Sequence, residues 1–305
     1  MKRRILITGG HGFIGRPFIR LALERDFDVH SYDRKVATKP IAHQYVGKLT
    51  DPDELVEVLH QFIPDYIVHL AAESSIIDSW LDPASTILSN VTATKNLITA
   101  IRSLPNQPRL INISSSSVYA PKGKGKLSET DPVGPDNPYS ISKFACELCV
   151  GELQTWINVR PFFVIGPGKH GDVVSDWCHQ IAEFESQGPT GSHTLITGNL
   201  DIVRDFLSVQ SAAEGLLYLM TAGSPRETYN LCSGSGASLR LVVNHLQDIS
   251  RVRFDVLSNS REKLRRNDRI RVVGNPEKLS KLGFQSKIPL KGVLRDTLQW
   301  HREAL

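Results

Sequence analysis

The sequence predicts an α/β fold, a doubly wound parallel sheet followed by a smaller C-terminal substrate-binding domain. Three observations predict it. Short apolar runs of strand length alternate with stretches of helical length through the first half of the chain, and that alternation places helices on both faces of a parallel sheet. A glycine-rich turn joins the first apolar run to the first helical stretch. Beyond "NVRPFFVIGPG" the alternation weakens, Gly and Pro become frequent, and short mixed elements follow. The expected division is residues 1–165 as one domain, rejoined by segments near 200–230, with 166–199 and 231–305 forming the other.

In chain order, "RILIT" is a strand, "GFIGRPFIRLALER" a helix, "FDVHSY" a strand, "DPDELVEVLHQF" a helix and "YIVHL" a strand. Each strand run is short, rich in β-branched residues and bounded by turn formers or charges. A long helix is expected from about Pro83 to Leu104, since Pro suits a first helical turn. The strand "RLINIS" and a helix from about Pro138 to Leu153 complete the alternation.

Composition narrows the partners. The 305 residues carry a formal charge of +4, from 36 Lys and Arg against 32 Asp and Glu. That balance is too mild and too evenly mixed for a nucleic-acid surface, and an anionic small molecule suits it better. No apolar run approaches the roughly 20 residues of a membrane-spanning helix, and "MKRRILITGG" has no signal-like apolar region. A soluble, cytoplasmic protein is expected, with no membrane or nucleic-acid partner. The CxxC formed by Cys146 and Cys149 lies in a helical stretch with neither a second CxxC nor a His pair. Buried thiols are therefore expected there, and no disulfide or metal is assigned.

Three glycines, Gly9, Gly12 and Gly15, follow the first strand and open the first helix. Glycine at these points permits a tight turn and lets a backbone approach a pyrophosphate, whose charge is favoured at a helix N-terminus. A glycine triplet alone signifies only a turn. Asp33 adds context, because a carboxylate at the end of the second strand accepts ribose hydroxyls and repels a 2′-phosphate. NAD(H) is therefore favoured. Arg34 and Lys35 follow at once, and such cations attract a 2′-phosphate, so NADP(H) stays open; an ordinary solvated loop is the alternative reading of the same three residues.

"NPYSISKFACE" places Tyr139 and Lys143 at i and i+4, on one face of the expected helix. A phenol with pKa about 10 is a poor acid or base near neutrality, and a nearby ammonium stabilises phenolate. A surface pair of no consequence has the same spacing. The serine run Ser114–Ser117 after the fourth apolar run supplies four hydroxyls that stability does not require. In an extended strand end Ser115 and Ser117 share one face, and Ser114 and Ser116 the other.

Taken together and in order, "TGGHGFIG", "HLAAESS", "SSSSVYA", "YSISK" and "RPFFVIGPG" resemble the extended short-chain dehydrogenase/reductase family, also described as NAD-dependent epimerases and dehydratases. The resemblance implies a Rossmann sheet and a catalytic set of Ser115, Tyr139 and Lys143, with Ser115 selected by its position three residues before Val118. Tyr139 would exchange a proton with the substrate oxygen during hydride transfer, Lys143 would lower the phenol's pKa and hold the nicotinamide ribose, and Ser115 would hydrogen-bond the reacting oxygen. Cofactor contacts are implied at Gly9, Gly12, Phe13, Ile14, Gly15, Asp33, Arg34, Lys48, Leu49, Leu70, Ala71, Ala72, Tyr139, Lys143 and Pro161.

Further stretches, among them "AAESSIIDSWLDP", "GPGKHGDVVSDW", "GNLDIVRDFLSV" and "LRRNDRIRVVGNPEKLSKLGF", are similar to those of bacterial reductases acting on GDP-4-keto-6-deoxy-D-mannose. This implies NAD(P)H-dependent reduction of the C4 ketone of a nucleotide-linked 4-keto-6-deoxyhexose, giving GDP-D-rhamnose. Substrate contacts are implied at Ser75, Ser116, Phe163, Val174, Arg204 and Arg265, the two arginines gripping the diphosphate; an ion pair with Asp205 or another carboxylate is the alternative for Arg204. The chain departs from the family pattern at Phe163, where Asn is usual, and at Val164, Ala120 and Lys48, where His, Gly and an acid are usual. Ser116 and Ser117 stand where the family's dehydratases carry an acid, which disfavours elimination. A 4-epimerase uses the same catalytic set and is the alternative activity, and a non-catalytic NAD(P)-binding sensor is the alternative of another class. A homodimer is implied, paired through helices flanking the sheet, including the one bearing Tyr139.

Overall fold

The computed structural model describes residues 2–188, 192–260, 269–286 and 289–305. Its first half alternates as follows: β1 (Arg4–Thr8), α1 (Gly15–Glu24), β2 (Asp28–Asp33), β3 (His43–Val46), α2 (Pro52–Phe62), β4 (Tyr66–His69), α3 (Ile76–Leu81), α4 (Pro83–Arg102), β5 (Arg109–Ile113), α5 (Pro138–Val150) and β6 (Trp156–Pro161). The second half contains β7 (Phe163–Ile165), α6 (Val173–Gln187), β8 (Thr194–Ile196), β9 (Val203–Ser208), α7 (Val209–Ala222), β10 (Glu227–Leu231), β11 (Gly236–Ser238), α8 (Leu239–Ile249), β12 (Asp255–Leu257), β13 (Arg271–Val272), α9 (Glu277–Lys281) and α10 (Leu290–Ala304).

Seven strands form one sheet in the order β10-β6-β5-β4-β1-β2-β3. Every pair in it is parallel, which makes the expected doubly wound sheet. Its inner strands are buried on both faces, as the apolar runs require. One face packs Ile5, Ile7, Val68 and Ile111 with Phe18 of α1 and Leu216 of α7. The opposite face packs Leu6, Ile67 and Leu110 with Leu59 of α2 and Leu97 of α4.

Two elements of the first half lie outside the sequence expectations. β3 is an edge strand whose "HQYV" is half-exposed and has no apolar run to announce it. α3 precedes the long helix because Ser75 and Asp82 cap separate starts, Ser75 accepting from Asp78 N and Asp82 from Ser85 N, with Pro83 opening α4. Asp82 closes α3 and begins α4, so the chain turns between them.

A smaller sheet is centred on β9, with β11 antiparallel to it, β13 parallel along its first residues and β7 parallel along its last. β8 and β12 pair separately. Around them α6, α8 and α10 bury a second core that includes Trp177, Ile181, Val242, Leu246 and Leu294. Asp205 ties this region together. Its buried carboxylate accepts from Ser233 N, Ser233 Oγ, Gly234 N and Gly274 N at 2.6–3.1 Å, joining β9 to the turn after β10 and the chain after β13.

Candidate active site

β1 lies between β2 and β4, so the strand order reverses there, and the turns that follow β1 and β4 flank one crevice at the carboxyl ends of the strands. Open α/β sheets bind ligands at such a point. Gly9 adopts φ +71°, and a Cβ on it would stand 2.8 Å from Ala71 N; a Cβ on Gly15 would stand 2.7 Å from Gly9 O. The first absence lets the turn close against Leu70 and Ala71, and the second lets α1 start directly against the backbone of Gly9 and Gly10; Ala72 follows, half-buried. Gly12 is exposed at the tip, while Phe13 and Ile14 are half-buried at the helix entrance. The turn thus offers backbone N–H groups to an anion at a helix start, a form that fits a dinucleotide's pyrophosphate.

Asp33 ends β2 and is buried. Its Oδ1 accepts from His11 N at 3.1 Å, and its Oδ2 lies 2.8 Å from His11 Nδ1 and accepts from Gln44 Nε2 at 3.2 Å. The expected ribose acceptor is therefore already held by protein donors. His11 was not singled out by spacing, although its place inside "GGHGFIG" beside an acidic strand end is the available signal. Arg34 is exposed and paired with Glu73 at 3.0 Å. Lys48 is exposed and Leu49 packs against the core. Pro161 closes β6, half-buried.

β5 delivers the serine run. Ser114 is buried, its N–H donating to Val159 O at 2.7 Å, and its Oγ has no partner among the described residues. Ser115 is extended, and the chain then turns through a short 3-10 segment, Ser116–Val118. The Ser115 Oγ accepts from Ser117 N at 3.1 Å and from Ser117 Oγ at 2.8 Å. With its acceptor side engaged, the Ser115 hydroxyl hydrogen is available to a substrate oxygen or to Tyr139.

Tyr139 and Lys143 sit one turn apart at the start of α5. This start is well defined, because Asn137 and Ser140 form a reciprocal cap and Pro138 occupies the first turn. Burial pushes the Tyr139 phenol above its ordinary value, and the hydrogen-bonding influence of Ser115 acts against that rise. Lys143 is buried. Burial lowers its pKa, with the neighbouring Cys146 and Glu147 acting in the opposite direction. Desolvation is the largest influence on Tyr139, and the influences opposing and adding to it come from Ser115 and Cys146.

Between β1, β4, α4 and α5 runs a buried polar chain. His69 Nδ1 lies 2.6 Å from Thr8 Oγ1, and its Nε2 3.1 Å from Thr94 Oγ1. Thr94 Oγ1 donates to Asn90 O at 2.9 Å and lies 3.1 Å from Cys146 Sγ. Asn90 spends all its bonding groups, donating to Glu73 O and Ser142 Oγ and accepting from Glu73 N. Burial first, and Lys143 second, lower the His69 pKa to about 3, so the ring is neutral. Thr8 and His69 open the motifs "TGGHGFIG" and "HLAAESS", whereas Asn90 and Thr94 have no sequence signature beyond their polarity in a helix.

The implied substrate residues are more scattered. Ser116 begins the 3-10 turn, half-buried, and Ser75 caps α3. Phe163 begins β7 and meets Phe206 edge to face at 5.4 Å, so an aromatic contact replaces the amide usual in the family. Val174 lies with its side chain fully buried in the second core, and its N–H donates to Asp172 Oδ1. Arg204 Nη1 donates to Val203 O and Arg269 O. The neighbouring Asp205 accepts from Ser233, Gly234 and Gly274. Arg265 lies outside the described residues. Arg269, unmarked by the sequence reading, donates to Tyr119 O at 2.7 Å and Ser117 O at 3.4 Å and pairs with Asp136. It links the chain before β13 to the serine turn and the approach to α5.

The model of the NAD dependent epimerase/dehydratase family matches residues 5–232. GDP-6-deoxy-D-mannose reductase of Pseudomonas aeruginosa is 31% identical, across 98% of this chain and 97% of its own length. GDP-6-deoxy-D-talose 4-dehydrogenase of Aggregatibacter actinomycetemcomitans is 32% identical, across 90% of each chain. The solved structure of RMD from Pseudomonas aeruginosa complexed with NADPH superposes with a TM-score of 0.87 at 28% identity, over the whole of both chains.

Proposed function

The chain belongs to the NAD dependent epimerase/dehydratase family, and from that premise we propose that it is an NAD(P)H-dependent reductase of a nucleotide-linked 4-keto-6-deoxyhexose, converting GDP-4-keto-6-deoxy-D-mannose to GDP-D-rhamnose. The observation that carries this reading is the meeting of Ser115 with Tyr139, one helical turn before Lys143, in a chain similar from end to end to a GDP-6-deoxy-D-mannose reductase. A reduced dinucleotide, when bound, supplies the hydride to C4. Tyr139 gives the proton to the C4 oxygen, Ser115 donates a hydrogen bond that fixes that oxygen, and Lys143 binds the nicotinamide ribose and electrostatically favours the phenolate left behind. Gly9, Gly12, Gly15 and the 70–72 turn hold the pyrophosphate, and Arg204 contributes to the site of the sugar nucleotide's diphosphate.

Serines rather than an acid follow Ser115, so no side chain of that turn can protonate a leaving hydroxyl, which separates this reading from dehydration. Pairing of two copies through α4 and α5 belongs to the same proposal: Leu88, Ile141 and Leu148 are exposed along those helices.

Net redox distinguishes reduction from epimerisation. With GDP-4-keto-6-deoxy-D-mannose the expected result is one equivalent of NADH or NADPH oxidised per GDP-deoxysugar formed, followed by absorbance of the reduced cofactor and product stereochemistry together. Interconversion of C4 epimers of a saturated sugar nucleotide, without net oxidation of added cofactor, would replace the reductase with a 4-epimerase.

A further inference from the structure

The glycine turn carries a feature that its spacing does not require. His11 grips Asp33 twice, through its backbone N–H at 3.1 Å and through Nδ1 at 2.8 Å. Gln44 adds a third donor at 3.2 Å. The His11 and Asp33 side chains are only 7% and 9% exposed, and His11 Nε2 is buried with no hydrogen-bond partner among the described residues. Arg16 Nε fixes the His11 carbonyl at 3.2 Å, and Ser31 Oγ lies 3.3 Å from Nδ1. Because Asp33 can only accept, Nδ1 carries the hydrogen, and the unpartnered Nε2 is the ring's remaining polar atom.

A carboxylate at the end of the second strand discriminates against NADP by repelling its 2′-phosphate. That repulsion depends on how much of the carboxylate's charge is met by donors around it. Here an imidazole, a backbone N–H and an amide all point at it, and Arg34 and Lys35 follow in the chain. We propose that His11 is a specificity-determining residue for the dinucleotide: by holding Asp33 it relaxes the discrimination against an adenosine 2′-phosphate, so that the site takes NADPH alongside NADH. This rests on the reading that a dinucleotide binds at the glycine turn.

Direct titration of NADH and NADPH, without substrate, tests it on the unmodified chain, His11→Ala, His11→Asn, Asp33→Ala and the His11→Ala, Asp33→Ala double variant. His11→Ala should weaken NADPH on the order of tenfold while NADH stays within about twofold, the size expected when a charge-assisted hydrogen bond to the carboxylate is lost. His11→Asn keeps a polar side chain and the backbone bond but not the imidazole, and should shift the ratio in the same direction; it preserves the test if the alanine variant folds poorly. With Asp33 already replaced, removing His11 should leave the ratio unchanged, because the two residues act as one unit. Equal weakening of both cofactors, or an unchanged ratio in the folded single variants, overturns the proposal and leaves His11 as a structural support. Failure of the unmodified chain to bind either dinucleotide would instead overturn the functional reading, and this proposal with it.

Discussion

At Tyr139 two influences compete. Burial raises the phenol's pKa, which keeps the proton on the oxygen, and Ser115 works in the opposite direction. A protonated phenol is the form a reductase needs to deliver a proton, so this balance suits reduction. Tyr139→Phe removes only the hydroxyl, and the expected outcome is a loss of turnover of about 100-fold or more with little change in dinucleotide affinity. Steady-state kinetics beside a cofactor titration checks both halves. Retention of more than about a tenth of the turnover, with chemistry rate-limiting, would remove Tyr139 from the proton path. The Tyr139–Lys143 spacing was legible in the sequence. The engagement of Ser115 by Ser117 was not, because the 3-10 turn that folds one serine onto another depends on how the chain leaves β5.

α5 positions Tyr139 and Lys143, the proposed catalytic pair, and several independent ties fix it. Its cap sets where the helix starts, Ser142 and Cys146 bond toward α4, and Glu147 forms a two-point ion pair with Arg160 of β6, at 2.8 and 2.6 Å. Both partners of that pair are about 95% buried. Arg160 also lies over the Tyr119 ring, 4.7 Å from its centroid. Glu147→Ala would leave a guanidinium buried without its counter-charge. The expected destabilisation is about 3–5 kcal/mol, read from the midpoint and slope of a urea transition. A loss below about 1 kcal/mol would mean that Tyr119 and solvent compensate the arginine and that the ion pair is dispensable.

For the whole molecule, the buried histidines predict acid sensitivity. His69 is lowered to about 3 by burial and then Lys143, and His301, buried between α6 and α10, to about 4 by burial and then His179 and His170. An unfolded histidine titrates near 6.5. Below that pH the unfolded chain binds protons that the folded chain refuses, so stability is full above about 6.5 and falls toward pH 4, by up to roughly 1.4 kcal/mol per pH unit for each ring. Asp172 and Asp205, whose carboxyls burial raises, act in the opposite sense. Urea unfolding at pH 7 and pH 5 should show the loss, and His301→Gln should flatten it. Equal pH slopes for variant and parent would show that the His301 ring is protonated in the folded chain.

By itself the sequence determined the parallel sheet, the glycine turn, the helix bearing Tyr139 and Lys143, and the family. The first three rest on local signals, namely apolar periodicity, the position of glycines and prolines, and i, i+4 spacing; the family rests on the resemblance of ordered motifs from "TGGHGFIG" to "RPFFVIGPG". Tertiary structure decided the rest. The half-exposed β3 exists because β2 offers it an edge, not because "HQYV" is apolar. Val174 lies in the second core because α6 turns that face toward α8 and α10. His11 is separated from Asp33 by 22 positions and meets it only when β1 and β2 pair in register. Whether a carboxylate is free to take a ribose or already held by a histidine depends on contacts distant in the chain, and no local pattern encodes them.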